Sequence, residues 1–179
     1  LQTNDTPWKR EGGWFVSPWN YAAEVTGGYS FPPRIQIHDV TLRDGEQQAA
    51  VVFTAEEKIR IAEKLAEIGV HRIEAGMPAV SPQDRKAIEE IAKRNLGPKI
   101  FAFARCMVDD IKLAADCGVD GVIVEIPSSE HLIEKAYRWP LQKAIDLSVE
   151  ATLYAKKLGL YTVFFPIDAF AGLDDIRAQ

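Results

Sequence analysis

From Arg34 onward, short apolar runs alternate with longer stretches in which apolar residues recur every three or four positions. The runs IQIHDV (residues 35–40), VHRIEAG (70–76), KIFAFA (99–104), VDGVIVEI (119–126) and LYTVFF (160–165) predict strands. They are rich in Ile, Val, Phe and Ala, as a parallel sheet covered on both faces requires. Between them the period changes to that of helices. Thr54-Ala-Glu-Glu57 is a capping box that opens a helix with Ile61, Ala62, Leu65 and Ile68 on one face, closed by Gly69. Ser81 and Pro82 supply the cap and first residue of a second helix, with Ile88, Ile91 and Ala92 inward and a stop at Gly97-Pro98. A third covers residues 109–117 and a fourth residues 141–158, ended by Gly118 and Gly159. The junctions Gly69-Val70, Gly118-Val119 and Gly159-Leu160 share one form, a helix-closing glycine followed at once by an apolar strand, and mark an internal repeat of βα units.

Such alternation predicts an α/β fold with a parallel sheet under helices. Two architectures fit, part of an eight-unit barrel and an open doubly wound sheet, because about five strands complete the second but make little more than half of the first. Polar residues stand at the carboxyl ends of the strands: Arg43 and Asp44, Glu74, Arg105, Glu125 and Ser129, and Asp168. A barrel would gather them on one face.

Residues 1–33 break the pattern, with Trp8, Trp14, Trp19, Phe15, Tyr21, Tyr29 and Phe31 set among Gly, Pro and Asn. They read as an aromatic-rich extension whose rings need a surface to pack on, the barrel or a second subunit, with a ligand-covering lid as the sharper alternative. Residues 34–179 form the predicted barrel part. The chain starts at Leu1 and closes in GLDDIRAQ (172–179), the pattern of a helix's first turns, so both ends read as cuts in a longer chain.

Composition narrows the function classes. With 21 Lys and Arg against 26 Asp and Glu, the net charge is −5 and no basic block tracks a phosphate backbone, so nucleic acid is not an expected partner. No apolar run approaches the roughly 20 residues that span a bilayer, and the start lacks a signal peptide's pattern, so the expectation is a cytoplasmic protein without membrane contact. Cys106, in a helical stretch, and Cys117, at a helix end, read as reduced core thiols.

The stretch TLRDGEQQ (residues 41–48) carries the candidate chemistry. Read plainly, Arg43 and Asp44 are an ion pair closing a βα turn. Read for chemistry, Asp44 is a hard oxygen ligand for a divalent ion, Arg43 an oxyanion stabiliser, and Gly45 lets the backbone pass close to a ligand. One carboxylate is not a metal site. The three histidines add no His-x-His pair: His71 reads as a surface residue at the opposite end of its strand, His38 as a barrel-interior residue or a site neighbour, and His131 as a substrate contact or a helix cap.

HDVTLRDGEQ (residues 38–47) resembles the D-x-T-L-R-D-G-x-Q signature of the DRE-TIM metallolyases, which include 2-isopropylmalate, homocitrate and citramalate synthases and 3-hydroxy-3-methylglutaryl-CoA lyase. GVHRIEAGMPAVSPQD (69–84) resembles the second signature of the synthase branch, and the resemblance runs from residue 34 to 168. It implies a (β/α)8 TIM barrel represented here by about five βα units. It also implies a divalent metal (Mg, Mn or Zn) held by Asp44, Arg43 as the catalytic arginine, and Gln47, Glu74, Arg105, Ser129 and Asp168 against the substrate. The implied reaction is a Claisen-type condensation of acetyl-CoA with a 2-oxo acid, followed by thioester hydrolysis. A homodimer or higher homo-oligomer is expected.

Departures from the family pattern keep other readings in view. Where the synthases carry S-x-E-D-A-x-R on the fifth strand, FFPIDAFAG (164–172) has Ile167 at the glutamate and Ala171 at the arginine, and the family's His-x-His pair lies beyond this chain. A carbon–carbon lyase or aldolase of the same superfamily is one alternative; a catalytically silent half-barrel used for assembly is another. A half-barrel also leaves sheet edges and apolar surface open, so the isolated chain is expected to self-associate.

Overall fold

The N-terminal unit, Leu1–Ile35, holds little regular structure. In the computed structural model, which describes residues 6–169, its two-residue strands β1 (Lys9–Arg10) and β2 (Trp14–Phe15) pair antiparallel, and a single turn α1 (Ala23–Thr26) follows. Trp8 meets Tyr21 at 6.4 Å between ring centroids, whereas Phe15, Trp19, Tyr29 and Phe31 are exposed.

The second unit, Gln36–Gln179, is the βα repeat. In chain order it runs β3 (His38–Asp39), α2 (Ala55–Glu67), β4 (Arg72–Glu74), α3 (Pro82–Lys93), β5 (Lys99–Arg105), α4 (Val108–Asp116), β6 (Gly121–Pro127), α5 (Leu141–Lys157) and β7 (Tyr161–Ile167). The predicted caps form. Thr54 accepts from the Glu57 backbone N–H while Glu57 reaches back to the Thr54 N–H, and Ser81 accepts from the Asp84 N–H with Pro82 behind it. Gly69, Gly118 and Gly159 each take a positive φ, between 75° and 85°, where a side chain would be strained.

The described strands β3 to β7 form one parallel sheet whose spatial order equals their order in the chain. That order chooses between the two predicted architectures. A doubly wound sheet reverses direction at a switch point, whereas a barrel adds every strand on the same side. The sheet is therefore five strands of a curled half-barrel. Alternation along the strands separates two layers of apolar residues. Ile100, Ala102, Ala104, Val122, Val124 and Ile126 face the helices in the larger core, while Phe101, Phe103 and Ile123 form an inner cluster with Met77 and Val163 on the concave side.

Three local expectations change. The first strand is two residues long rather than six: Ile35 and Ile37 are exposed at the sheet edge, and beyond Asp39 the Val40 carbonyl accepts from Arg43, Asp44 and Gly45, turning the chain away. Ile68 is exposed because α2 has already ended at Glu67; its buried positions are Lys58, Ala62 and Leu65. Cys106 lies in the turn after β5, its N–H donating to the Glu125 carbonyl, not in a helix. Both thiols are buried and unpaired, and burial pushes Cys117 up to about 11. Residues 172–179, expected to open a helix, lie outside the described residues.

Gly121 is required by close approach. A Cβ there would stand 2.5 Å from the Phe101 ring and 2.5 Å from the Tyr161 carbonyl. Gly121→Ala is expected to destabilise the barrel part by about 1–3 kcal/mol, read by urea unfolding; an unchanged midpoint would contradict this packing. On the outer side Leu141, Ile145, Val149 and Leu153 form an exposed apolar stripe on α5. The chain is expected to self-associate in light scattering, and Val149→Lys with Leu153→Lys to reduce that association; a concentration-independent monomer would refute it.

Candidate active site at the carboxyl ends of the strands

The turn after β3 is built by its own backbone. Asp39 accepts from the Thr41 N–H at 2.9 Å and its hydroxyl at 3.2 Å, while the Val40 carbonyl gathers the next three free N–H groups. A 3₁₀ turn, Gly45–Gln47, follows. Arg43, Asp44 and Gln47 are thereby presented within one tight segment.

Arg43 is largely buried and held on three sides. Its Nε donates to Glu74 Oε1, its Nη1 donates to Asp44 Oδ1 at 3.1 Å and lies 3.5 Å from Gln47 Oε1, and its guanidinium carbon sits 4.1 Å over the Phe103 ring. Glu74, 2% exposed, is shared with His38, whose Nε2 lies 3.4 Å from Glu74 Oε2 without hydrogen-bond alignment. The His38 ring packs edge-on to Phe101 at 5.1 Å. A carboxylate this deep needs a cation, and Arg43 supplies it.

A cavity of about 550 Å³ opens above this cluster, lined among others by Arg43, Gln47, Met77, Phe103, Arg105 and Glu125. Its wall contains an ion triad centred on a buried lysine. Lys58, from α2, lies 2.6 Å from Glu46 and 2.5 Å from Asp84 at the start of α3, and Glu46 also accepts from the Phe53 N–H at 2.9 Å. Burial alone lowers the Lys58 pKa, but hydrogen bonds to Asp84 and Glu46 outweigh it and the net direction is up; Asp84 is held below the usual carboxylate range in return. The triad ties the turn that bears Arg43 to two helices.

Four of the expected site residues, Arg43, Asp44, Gln47 and Glu74, come together. Arg105 lines the cavity, but its guanidinium is committed to Asp110 through Nε at 2.7 Å and Nη2 at 2.9 Å. Ser129 and Asp168 do not line the cavity; the Ser129 hydroxyl donates to Asp168 at 2.7 Å and accepts from the Leu132 N–H. His71 lies at the amino end of β4 and accepts from the Ile37 N–H, and His131 is exposed. Ile167 ends β7, whereas Ala171 lies outside the described residues.

Among the described residues no three His, Cys, Asp or Glu side chains converge as a metal centre requires. The exposed Asp44 carboxylate has the hard-oxygen chemistry of an Mg²⁺ or Mn²⁺ ligand and offers one position of a coordination set.

The sequence reading left the Lys58 triad, Phe103 and a role for Glu125 unassigned. Two had a signal. Lys58 occupies the first position of the buried i, i+4, i+7 stripe of α2, and Glu125 interrupts the apolar run VIVEIP. Phe103 had none, because an aromatic in a barrel strand is ordinary.

The fold and this cluster define the class, a TIM-barrel domain with its polar groups at the carboxyl ends of the strands. The HMGL-like family model matches residues 34–175, and the chain belongs to that family. It is 42% identical over 156 residues to a homocitrate synthase of Methanothermobacter thermautotrophicus, covering 87% of this chain and 39% of that protein. It is 42% identical over 127 residues to 2-isopropylmalate synthase 2 of Caldanaerobacter subterraneus, covering 71% of this chain and 33% of that protein. The chain thus spans between about a third and two fifths of these relatives' length. An HMG-CoA lyase structure from Bacillus subtilis superposes with a TM-score of 0.62 at 23% identity, over 76% of this chain and 47% of that one. The resemblance to the DRE-TIM group and the barrel fold both hold.

Removing the buried cation leaves two partly exposed carboxylates without their partner. Lys58→Met is expected to cost about 1.5–3 kcal/mol in denaturant unfolding. Because the Asp84 pKa is depressed, the triad's contribution is present at neutral pH and lost as pH falls through the carboxylate range, so the cost should shrink in acid. A neutral effect at pH 7 would show that the triad carries no weight.

Proposed function

We propose that this chain is the N-terminal part of the catalytic barrel of a metal-dependent synthase that condenses acetyl-CoA with a 2-oxo acid. The observation that carries the reading is the Arg43 guanidinium clamped between Glu74 and Phe103 with Asp44 beside it, in a family member whose relatives bear synthase names. Residues 1–33 are then an N-terminal extension and residues 34–179 the barrel part.

In this reading Arg43 is the catalytic arginine. Its position is fixed before substrate arrives, so it meets the negative charge that develops on the keto oxygen without reorganising. Glu74 and Phe103 set the plane of the guanidinium. Gln47 and Glu74 contact the 2-oxo acid's site, Arg105 borders it, and Ser129 and Asp168, bonded to each other past the ends of β6 and β7, reach the substrate only once it extends beyond the cavity. Asp44 contributes one ligand to a divalent ion, Mg²⁺, Mn²⁺ or Zn²⁺, which when bound supplies Lewis-acid polarisation of the 2-oxo acid. The remaining ligands come from outside the described residues. A cytoplasmic homo-oligomer belongs to the same reading, and the two buried free thiols fit a reducing compartment.

The test is thiol release by the complete protein carrying this chain, supplied with acetyl-CoA, Mg²⁺ or Mn²⁺ and a panel of 2-oxo acids. Condensation is expected with at least one acid. Arg43→Lys should cost about 10²–10³ in kcat, as removal of one oxyanion donor does. Asp44→Ala should abolish the metal-dependent activity while leaving the unfolding midpoint nearly unchanged. No turnover with any acid, or full activity in Asp44→Ala, would overturn the reading.

A further inference from the structure

The condensation proposed above needs a group that takes a proton from the acetyl methyl, and the cavity contains one carboxylate with no assigned task. This inference deepens that reading and rests on it. Three carboxylates line the cavity: Glu46, Asp84 and Glu125. Glu46 and Asp84 share an ion pair with Lys58, and Glu74 beneath them is paired with Arg43. Asp44 is paired with Arg43 at the rim. Among the described residues, Glu125 alone of these has no cation within ion-pairing distance and no hydrogen bond to its carboxylate.

Its placement is specific. Glu125 is in the β6 strand GVIVEIP, partnered in register by Arg105 on β5 and Phe165 on β7. It shares the concave face with Ile123, one step down the same strand, which packs in the inner apolar cluster. The neighbouring guanidinium of Arg105 does not serve it, since that group is engaged by Asp110 at both Nε and Nη2. Arg43, from the turn after β3, is the charge that acts on it across the cavity. A half-buried acid kept without a partner at the floor of a cavity has a cost that a purely structural residue would not carry.

We propose that Glu125 is the proton acceptor of the condensation. Its carboxylate takes a methyl proton from acetyl-CoA, and the C–H electron pair becomes the enolate of the thioester. The enolate carbon then forms the new bond to the keto carbon of the 2-oxo acid, whose π pair moves onto oxygen beside Arg43. Glu125, now protonated, returns a proton to that alkoxide, so the side chain ends as it began.

Burial pushes the Glu125 carboxyl up, with the Arg43 charge opposing the rise. A base works only when ionised, so the rate should climb with pH through this elevated value. The same direction fixes the effect on stability. A carboxyl raised in the folded state costs stability as pH rises through its pKa, so Glu125→Gln should fold at neutral pH at least as stably as the parent.

The experiment follows exchange of the acetyl-CoA methyl protons with D₂O by NMR, in the complete protein with Mg²⁺ and the 2-oxo acid it accepts, alongside steady-state turnover between pH 5 and 9. Glu125→Gln is expected to lower both exchange and kcat by about 10²–10⁴-fold, leave KM for the 2-oxo acid within a few-fold, and abolish the acidic limb of the profile. A merely structural role would not remove that limb from a protein with an unchanged unfolding midpoint. If Glu125→Gln exchanges and turns over like the parent, the base assignment is wrong and the synthase reading stands. If the parent itself neither exchanges nor condenses any 2-oxo acid, the synthase reading fails and the base assignment with it.

Discussion

The contact between Arg43 and Glu74 organises the functional end of this half-barrel. Glu74 sits in a strand that is buried on both faces, where an ionised carboxylate is tolerated only with a cation beside it. Arg43 meets that requirement from the preceding βα turn, and in doing so its guanidinium is laid flat over Phe103 and its far edge brought to Asp44 and Gln47. One desolvated pair thus converts a mobile side chain into a fixed group. The turn that carries it is secured independently, by the Val40 carbonyl within the segment and by Glu46 reaching Lys58 below it.

The cavity is a study in how acids are distributed. Of the five carboxylates in and around it, four contact a cation, Lys58 being shared by two and Arg43 by another two. Arg105, which register would set beside Glu125, is instead turned to Asp110 on α4. The effect is to leave one acid in the cavity without a counter-charge, next to an arginine already committed elsewhere. Charge pairing in the wall and its absence at one point of the floor are two aspects of the same arrangement.

Below the site, packing of the inner face depends on shape more than on charge. Phe101 lies between His38 and Tyr161, and Gly121 leaves the space its ring occupies. Arg72 covers the far side of the same layer, its guanidinium carbon 4.8 Å from the Tyr161 ring centroid. The outer face has a different economy: α5 buries only Ala144, Ala151 and Ala155 and leaves a stripe of larger apolar residues open, as an element with a second neighbour would. The curated relatives are more than twice the length matched here.

Much of this was already determined by the sequence. Period and caps placed the four long helices and five strands, the glycine junctions declared the repeat, and TLRDGEQ with IEAGMPAVSP carried the family, because these features act over a few residues and need no distant partner. Edges were less legible: the first strand is short because the Val40 carbonyl turns the chain away just past Asp39, and Ile68 is exposed because the helix ended one residue earlier. What only the tertiary structure decided was pairing. Strand order, which no local pattern contains, bore out the barrel that the two signatures implied. That Arg105 serves Asp110, that Lys58 gathers Glu46 and Asp84, and that Glu125 is left without a cation depend on side chains up to dozens of residues apart meeting in a low-dielectric wall, where each charge must find its partner in space.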